Sequence, residues 1–221
     1  MRVLVVAPHM DDEALGMGGT ILRHVAGGDD VCVCFVADRV YDHTPDRTRS
    51  DEERRCAIEA QRHLGYREAI FLELPDERLD ACTQDVIIPL ERVVQAVQPD
   101  VAYLPHRGDN HQDHRAVFHA AQVVFRPSAV SVRRLLSYEV PSSTEQAPAV
   151  PETAFLPNYF VDISAELDRK LAAVACYTRE ARPFPHPRSP EALRALAVHR
   201  GVSAGFTAAE AFVLLRERMP A

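Results

Sequence analysis

Residues Val3–Glu13 read VLVVAPHMDDE. The apolar run Val3–Ala7 is too short for a buried helix and lacks the alternation of a half-exposed strand. It therefore predicts a short strand covered on both faces. Pro8 ends it. The next periodic stretch, Asp12–Ala26, carries Leu15, Ile21, Leu22 and Val25 at helical spacing and stops at Gly27-Gly28. A buried strand entering a helix through a tight turn opens a βαβ unit. The same alternation continues outward. Strands are predicted at Val31–Ala37, Ala69–Leu74, Val101–Leu104 and Leu135–Val140, and helices at Asp51–Leu64, Asp85–Val97 and Asp113–Phe125.

This alternation predicts an α/β, Rossmann-like, mostly parallel sheet with helices on both faces, a three-layer arrangement. The remainder reads as a loop at Pro141–Pro157, a strand at Tyr159–Ile163, a helix at Ala165–Tyr177 and a Pro-rich loop at Arg182–Pro190. Two further helices are predicted, Pro190–Arg200 and Ala208–Arg218. No repeat or composition shift divides the chain, so residues 1–221 are expected to form a single domain.

With 221 residues, 47% apolar and 26% charged, the chain is long and apolar enough for a sizeable core. A net charge of -7 argues against nucleic acid as the main partner, because phosphate binding needs surplus Lys and Arg. No apolar run approaches ~20 residues, so no membrane span is expected. The opening MRVLVVAPH lacks a small-residue cleavage site and does not read as a signal peptide. A cytoplasmic location is the expectation. The five Cys are an odd number and fit reduced thiols; Cys32 and Cys34, two apart in a strand-like run, are expected in the core.

Ligands of a doubly wound sheet bind beyond the carboxyl ends of its strands. There the first strand delivers His9, Asp11, Asp12 and Glu13. Gly16, Gly18 and Gly19 suggest a phosphate-cradling loop, but three carboxylates at that point would repel an anion. A divalent cation suits them better. His9 and Asp12 can converge on one ion while Asp11, splayed away, stays free beside it. Helix capping and the helix dipole explain each acid singly, but not the preceding His9. The strand Val101–Leu104 ends on the same edge and delivers His106, His111, Asp113 and His114. A His from this segment would complete a two-His, one-carboxylate set, and three protein ligands plus water is the pattern of a catalytic zinc site. Asp113 can accept a hydrogen bond from a His ring and fix its tautomer. A polar loop with an Asp cap is the plainer alternative.

The two segments together resemble the LmbE-like or PIG-L family of zinc-dependent N-deacetylases. The family's first motif is usually AHPDDE and stands here as Pro8-His9-Met10-Asp11-Asp12-Glu13, departing only at positions that hold no metal. HQDH follows about 100 residues later. LPDERL at Leu74–Leu79, PNYFVDIS at Pro157–Ser164, PHPRS at Pro185–Ser189 and AEAF at Ala209–Phe212 extend the likeness over nearly the whole chain. The resemblance implies one Zn2+ held by His9, Asp12 and His114, with Asp11 as general base. It implies that His111 and Asp113 are the pair that tunes the site. It places His186 as an oxyanion donor that in some relatives serves a neighbouring subunit, and an Arg early in the second helix on the substrate. Arg54 is the candidate, with Arg49 or Arg55 as replacements. His106 is a candidate for the pocket wall. The implied reaction removes an N-acetyl group from an amino sugar or conjugate, giving acetate and a free amine. A homo-oligomer, trimer or hexamer, is compatible with the family.

The remaining His24, His43, His63 and His199 read as surface or core residues without acidic partners, and His119 as structural. Asp51–Arg55 reads as mostly a solvated helix face, Asp38 as pocket lining or a turn, and Glu210 as a buried or interface hydrogen-bonding group. Four other functions compete. An amidase for a larger acyl or thiol conjugate, or a deacetylase of an antibiotic intermediate, would use the same site. A metal phosphoesterase would need a second ion and more carboxylates. A sugar-binding module would not need Asp11 beside a complete ligand set.

Overall fold

The computed structural model describes residues 1–38 and 47–219. One seven-stranded sheet runs in the order β3-β2-β1-β4-β5-β7-β6. Its strands are β1 (Arg2–Ala7), β2 (Asp30–Asp38), β3 (Glu68–Pro75), β4 (Val101–Pro105), β5 (Arg134–Tyr138), β6 (Tyr159–Asp162) and β7 (Ala209–Glu217). The first five are parallel, and β7 runs antiparallel to both β5 and β6. The helices are α1 (Asp12–Ala26), α2 (Arg47–Leu64), α3 (Thr83–Val97), α4 (Gln112–Val124), α5 (Leu167–Ala175) and α6 (Pro190–Val202).

β1 shows why its apolar run is continuous. Val3, Val5 and Ala7 face a core shared with α1, α2 and α5, while Leu4 and Val6 face a second core with α3 and α4. Each fully buried Val contributes roughly 1.5–3 kcal/mol, so both faces of the strand are committed. Cys32 and Cys34 lie in the second core, on one face as expected.

The predicted helix at Ala208–Arg218 is a strand. AEAFVLLRE is apolar at both period 2 and period 3.6, and what decides is pairing: Phe212 sits opposite Tyr138 on one side and Tyr159 on the other. Within the Asp51–Arg55 run Glu53 is the buried member.

The glycines of α1 serve packing rather than phosphate. A Cβ on Gly16 would stand 2.4 Å from the Tyr138 ring, and one on Gly19 would stand 2.7 Å from Ile163. The helix is kinked at Met17 (φ -149). The kink frees the amides of Gly19 and Thr20, and both donate to the Glu210 carboxylate, at 2.9 and 2.6 Å. Lys170 Nζ donates to the same carboxylate at 2.6 Å. That explains a buried acid in β7 and buries the chain's sole lysine, paired.

β1 pairs with β2 on one side and β4 on the other, so the strand order reverses between β1 and β4. A crevice opens at such a reversal beyond the strand ends. The β1–α1 and β4–α4 turns flank it.

Candidate metal centre and active site

The two turns bring three donor atoms together. Asp12 Oδ2 lies 3.5 Å from His9 Nδ1 and 3.3 Å from His114 Nε2, and the two ring nitrogens are 3.3 Å apart. All three side chains are buried. Tetrahedral bonds of about 2.0–2.1 Å to one ion place donors roughly 3.3–3.4 Å apart, so the triangle matches three vertices of such a site. The outer nitrogens set the tautomers. His9 Nε2 pairs with Asp113 Oδ2 at 3.1 Å and His114 Nδ1 lies 3.2 Å from Asp109 Oδ2. The Asp113 contact holds the His9 ring proton outward and leaves its inner nitrogen to present a lone pair, while Asp109 stands as a carboxylate beside the outer nitrogen of His114. Burial works against a charged His114, yet Asp12 and Asp109 outweigh it and raise its pKa to about 10. A site that favours positive charge this strongly suits a cation.

His111 belongs beside this set. His9, His111 and His114 can each offer an atom within 4.8 Å of the others. That span is looser than the carboxylate triangle. His111 Nδ1 also accepts the Asp113 amide at 3.2 Å, capping α4. Burial and the neighbouring His9 and His114 lower its pKa to about 4. The neutral ring therefore carries its proton on Nε2 and acts as a donor.

Three consecutive carboxylates, Asp11, Asp12 and Glu13, are each buried, and each has its own answer. Asp12 has the two His rings. Glu13 Oε1 accepts the Tyr177 hydroxyl at 2.6 Å, and burial raises its pKa to about 8. Asp11 Oδ2 accepts Arg188 Nη1 at 2.8 Å. Asp11 has φ 132, a backbone conformation costly for a residue with a Cβ, and its side chain makes no capping bond to α1. The capping alternative weighed from the sequence is therefore excluded for Asp11.

The orienting carboxylates are themselves held. Asp113 accepts the Glu77 and Leu79 amides at 2.6 and 3.3 Å, which gives the LPDERL segment its physical role. Asp109 accepts the Thr144 hydroxyl at 2.6 Å, the His111 amide at 2.8 Å and a very short bond from the Ser143 hydroxyl. Burial would raise the Asp109 pKa, but His114 and these hydroxyls hold it below the usual range. Sequence reasoning missed Asp109 and Arg188. The only signals were Asp109's place before HQDH and an Arg two residues past His186 in PHPRS.

The other candidates lie around this centre or away from it. His106 is buried with Nε2 on the Thr153 carbonyl at 3.0 Å and its ring edge-on to Phe155. A Cβ on Gly108, two residues on, would stand 2.4 Å from Thr153 Cα, so His106 and Gly108 together hold the 141–157 segment against the β4–α4 turn. It is a strut rather than an exposed pocket wall. Arg54 lies 2.8 Å from Glu73 and 3.6 Å from Asp38 and stacks on Phe71. It braces α2 against β2 and β3. Arg55, one of its replacements, lines a cavity of about 340 Å³ with Met10, Cys56, Tyr177 and Glu180. His186 Nδ1 accepts the Arg188 amide at 3.1 Å, so its tail loop reaches the site of its own chain through Arg188. Of the residues expected to lack acidic partners, His24 pairs with Asp29 at 2.7 Å across the Gly27-Gly28 turn. His43 lies outside the described residues.

A triangle of two His and one Asp at the β1–α1 and β4–α4 junctions, with a paired buried carboxylate beside it at the reversal point of a parallel sheet, has the make-up of a metal-dependent hydrolase site. The pattern of the PIG-L family, GlcNAc-PI de-N-acetylase, matches residues 4–125, and the chain belongs to this family. It is 30% identical over 225 residues to the diacetylchitobiose deacetylase of Thermococcus kodakarensis, covering 95% of this chain and 81% of that one. It is 31% identical over 180 residues to the uncharacterized deacetylase YaiS of Escherichia coli K12, covering 78% and 88%. The 4-carboxy-2-hydroxymuconate hydratase of Pseudomonas putida KT2440 superposes with a TM-score of 0.80 at 22% identity, covering 100% of this chain and 99% of that structure. That last likeness is one of fold alone. The framework hosts more than one chemistry, so the reaction must be argued from the site.

Proposed function

We propose that this chain hydrolyses the N-acetyl group of an amino sugar or sugar conjugate, releasing acetate and a free amine, with one Zn2+ held by His9, Asp12 and His114. The observation that carries the reading is the 3.3–3.5 Å donor triangle with buried Asp11 adjacent to it in sequence. Family membership and the named activity of the Thermococcus relative support the acetamide as substrate.

Zinc held by His9, Asp12 and His114 would supply Lewis acidity for the amide carbonyl and would lower the pKa of a water to about 7. Asp11 accepts the proton of the attacking water and returns it to the leaving nitrogen, so that the amine departs neutral. His111, neutral and protonated on Nε2, is placed to donate to the oxygen that gains charge. His186, whose Nδ1 accepts the Arg188 amide, has its other nitrogen left for a ring proton and is assigned as a second donor. Asp113 and Asp109 keep the two His ligands in the required tautomers. The cavity lined by Met10, Arg55 and Glu180 is assigned to the remainder of the substrate.

An amine-release assay across N-acetylated mono- and disaccharides and conjugates, run in parallel with larger N-acyl analogues, tests the reading. Acetate and amine should appear in equal amounts from at least one N-acetyl sugar. Turnover confined to the larger acyl groups would replace the deacetylase reading with an amidase one.

A further inference from the structure

We infer that Arg188 is the positioning residue for Asp11, holding the carboxylate in the one orientation that serves proton transfer; this rests on the reading of Asp11 as the proton carrier. Arg188 arrives from 177 residues away in sequence and puts Nη1 2.8 Å from Asp11 Oδ2. The same Nη1 bonds Glu180 at 2.5 Å, and Nε bonds Ser142 Oγ at 2.5 Å. One guanidinium thus ties the β1–α1 turn to the loop after β5 and the loop after α5. Two of the segments it joins carry a residue at positive φ without being glycine, Asp11 at 132 and Ser142 at 72. Such backbone persists only where its surroundings over-determine it, and it clusters at functional sites.

The arrangement is specific to Asp11. Asp12 is engaged by His9 and His114, and Glu13 by Tyr177. Asp11 is 1% exposed, and a carboxylate kept ionised at that depth needs a charged, hydrogen-bonded partner. Arg188 is held in turn by two further acceptors, so its fork cannot swing away without losing both. A lysine has a single charged nitrogen on a flexible stem and cannot serve Asp11 and Ser142 from fixed positions at once. The PHPRS segment therefore contributes an Arg that sets the base as well as the His that the sequence points to.

A double-mutant cycle tests this, using Arg188→Ala, Asp11→Ala and the pair, with kcat, KM and zinc content measured for each. Arg188→Ala should lower kcat by roughly 10–100-fold, move KM by less than about threefold and leave one zinc per chain. In the Asp11→Ala background the same substitution should cost less than about threefold, because the group through which Arg188 acts is gone. Millimolar guanidinium should restore part of the Arg188→Ala loss and none of the double mutant's. If Arg188→Ala does not fold, Arg188→Lys carries the same cycle, with a smaller loss and the same non-additivity. Equal losses in both backgrounds, or kcat within threefold of wild type, overturn the inference while leaving deacetylation intact. Near-wild-type turnover of Asp11→Ala overturns the reading of Asp11 itself, and the positioning role with it.

Discussion

The two halves of the chain do different work at one site. Residues 2–125 supply the donor triangle and the carboxylates that orient it: His9 and Asp12 from the first turn, Asp109, Asp113 and His114 from the second. The tail supplies none of these. It supplies what makes them tolerable: Tyr177 on Glu13, Arg188 on Asp11, and Glu210 with Lys170 under the kink of α1. Chemistry is built on rigid strand ends, and its electrostatic cost is met from loops and strands that arrive much later in sequence. The family pattern covers residues 4–125. The physical dependence shows why the remainder is still needed.

Substitutions in the two halves should accordingly fail in different ways. His114→Ala removes a donor with two buried carboxylates left facing the gap. Zinc should fall below stoichiometry and turnover should be lost together, as metal analysis and an amine assay would show. Asp11→Ala should keep its zinc and lose at least ~10² in kcat, the usual worth of a general base. In the tail, Glu210→Ala removes the acceptor for two α1 amides and leaves Lys170 buried without its partner. About 3–5 kcal/mol of stability should go, read by urea unfolding with zinc content followed in the native state. Tyr177→Phe removes one buried hydroxyl donor from Glu13 and should cost about 1–3 kcal/mol, read by the same unfolding measurement. Arg54→Ala is the smallest: a half-exposed brace worth about 0–1 kcal/mol, with KM unchanged. A raised KM for Arg54→Ala, and none for Arg55→Ala, would reverse the assignment of the cavity-lining Arg.

The sequence made the first half legible because its signals are local. Continuous apolar runs mark β1, β2 and β4 as buried strands, and both ligand-bearing turns follow such a run directly. Even Asp113, proposed as a His orienter, lies within the turn that holds its neighbours, although the ring it orients is His9. The tail was harder for two physical reasons. AEAFVLLRE has no period of its own choosing, and only Tyr138 and Tyr159 across the sheet decide that it is extended. The partners of Glu13, Asp11 and Gly19 stand 164, 177 and 191 residues away, where no spacing rule connects them. His186 and Glu210 were visible through family-like motifs. Arg188, inside one of those motifs, was not singled out because a surface-type residue in a Pro-rich loop gives no sign of reaching a buried acid.

The central claim is that His9, Asp12 and His114 hold one catalytic ion. The most direct measurement is zinc per chain beside acetate release from an N-acetyl sugar the enzyme turns over, followed through chelation and zinc titration. The account predicts that activity vanishes with the metal and returns linearly until one zinc per chain is bound, with His114→Ala unable to follow. Activity that survives full chelation, or that requires two ions per chain, would contradict it.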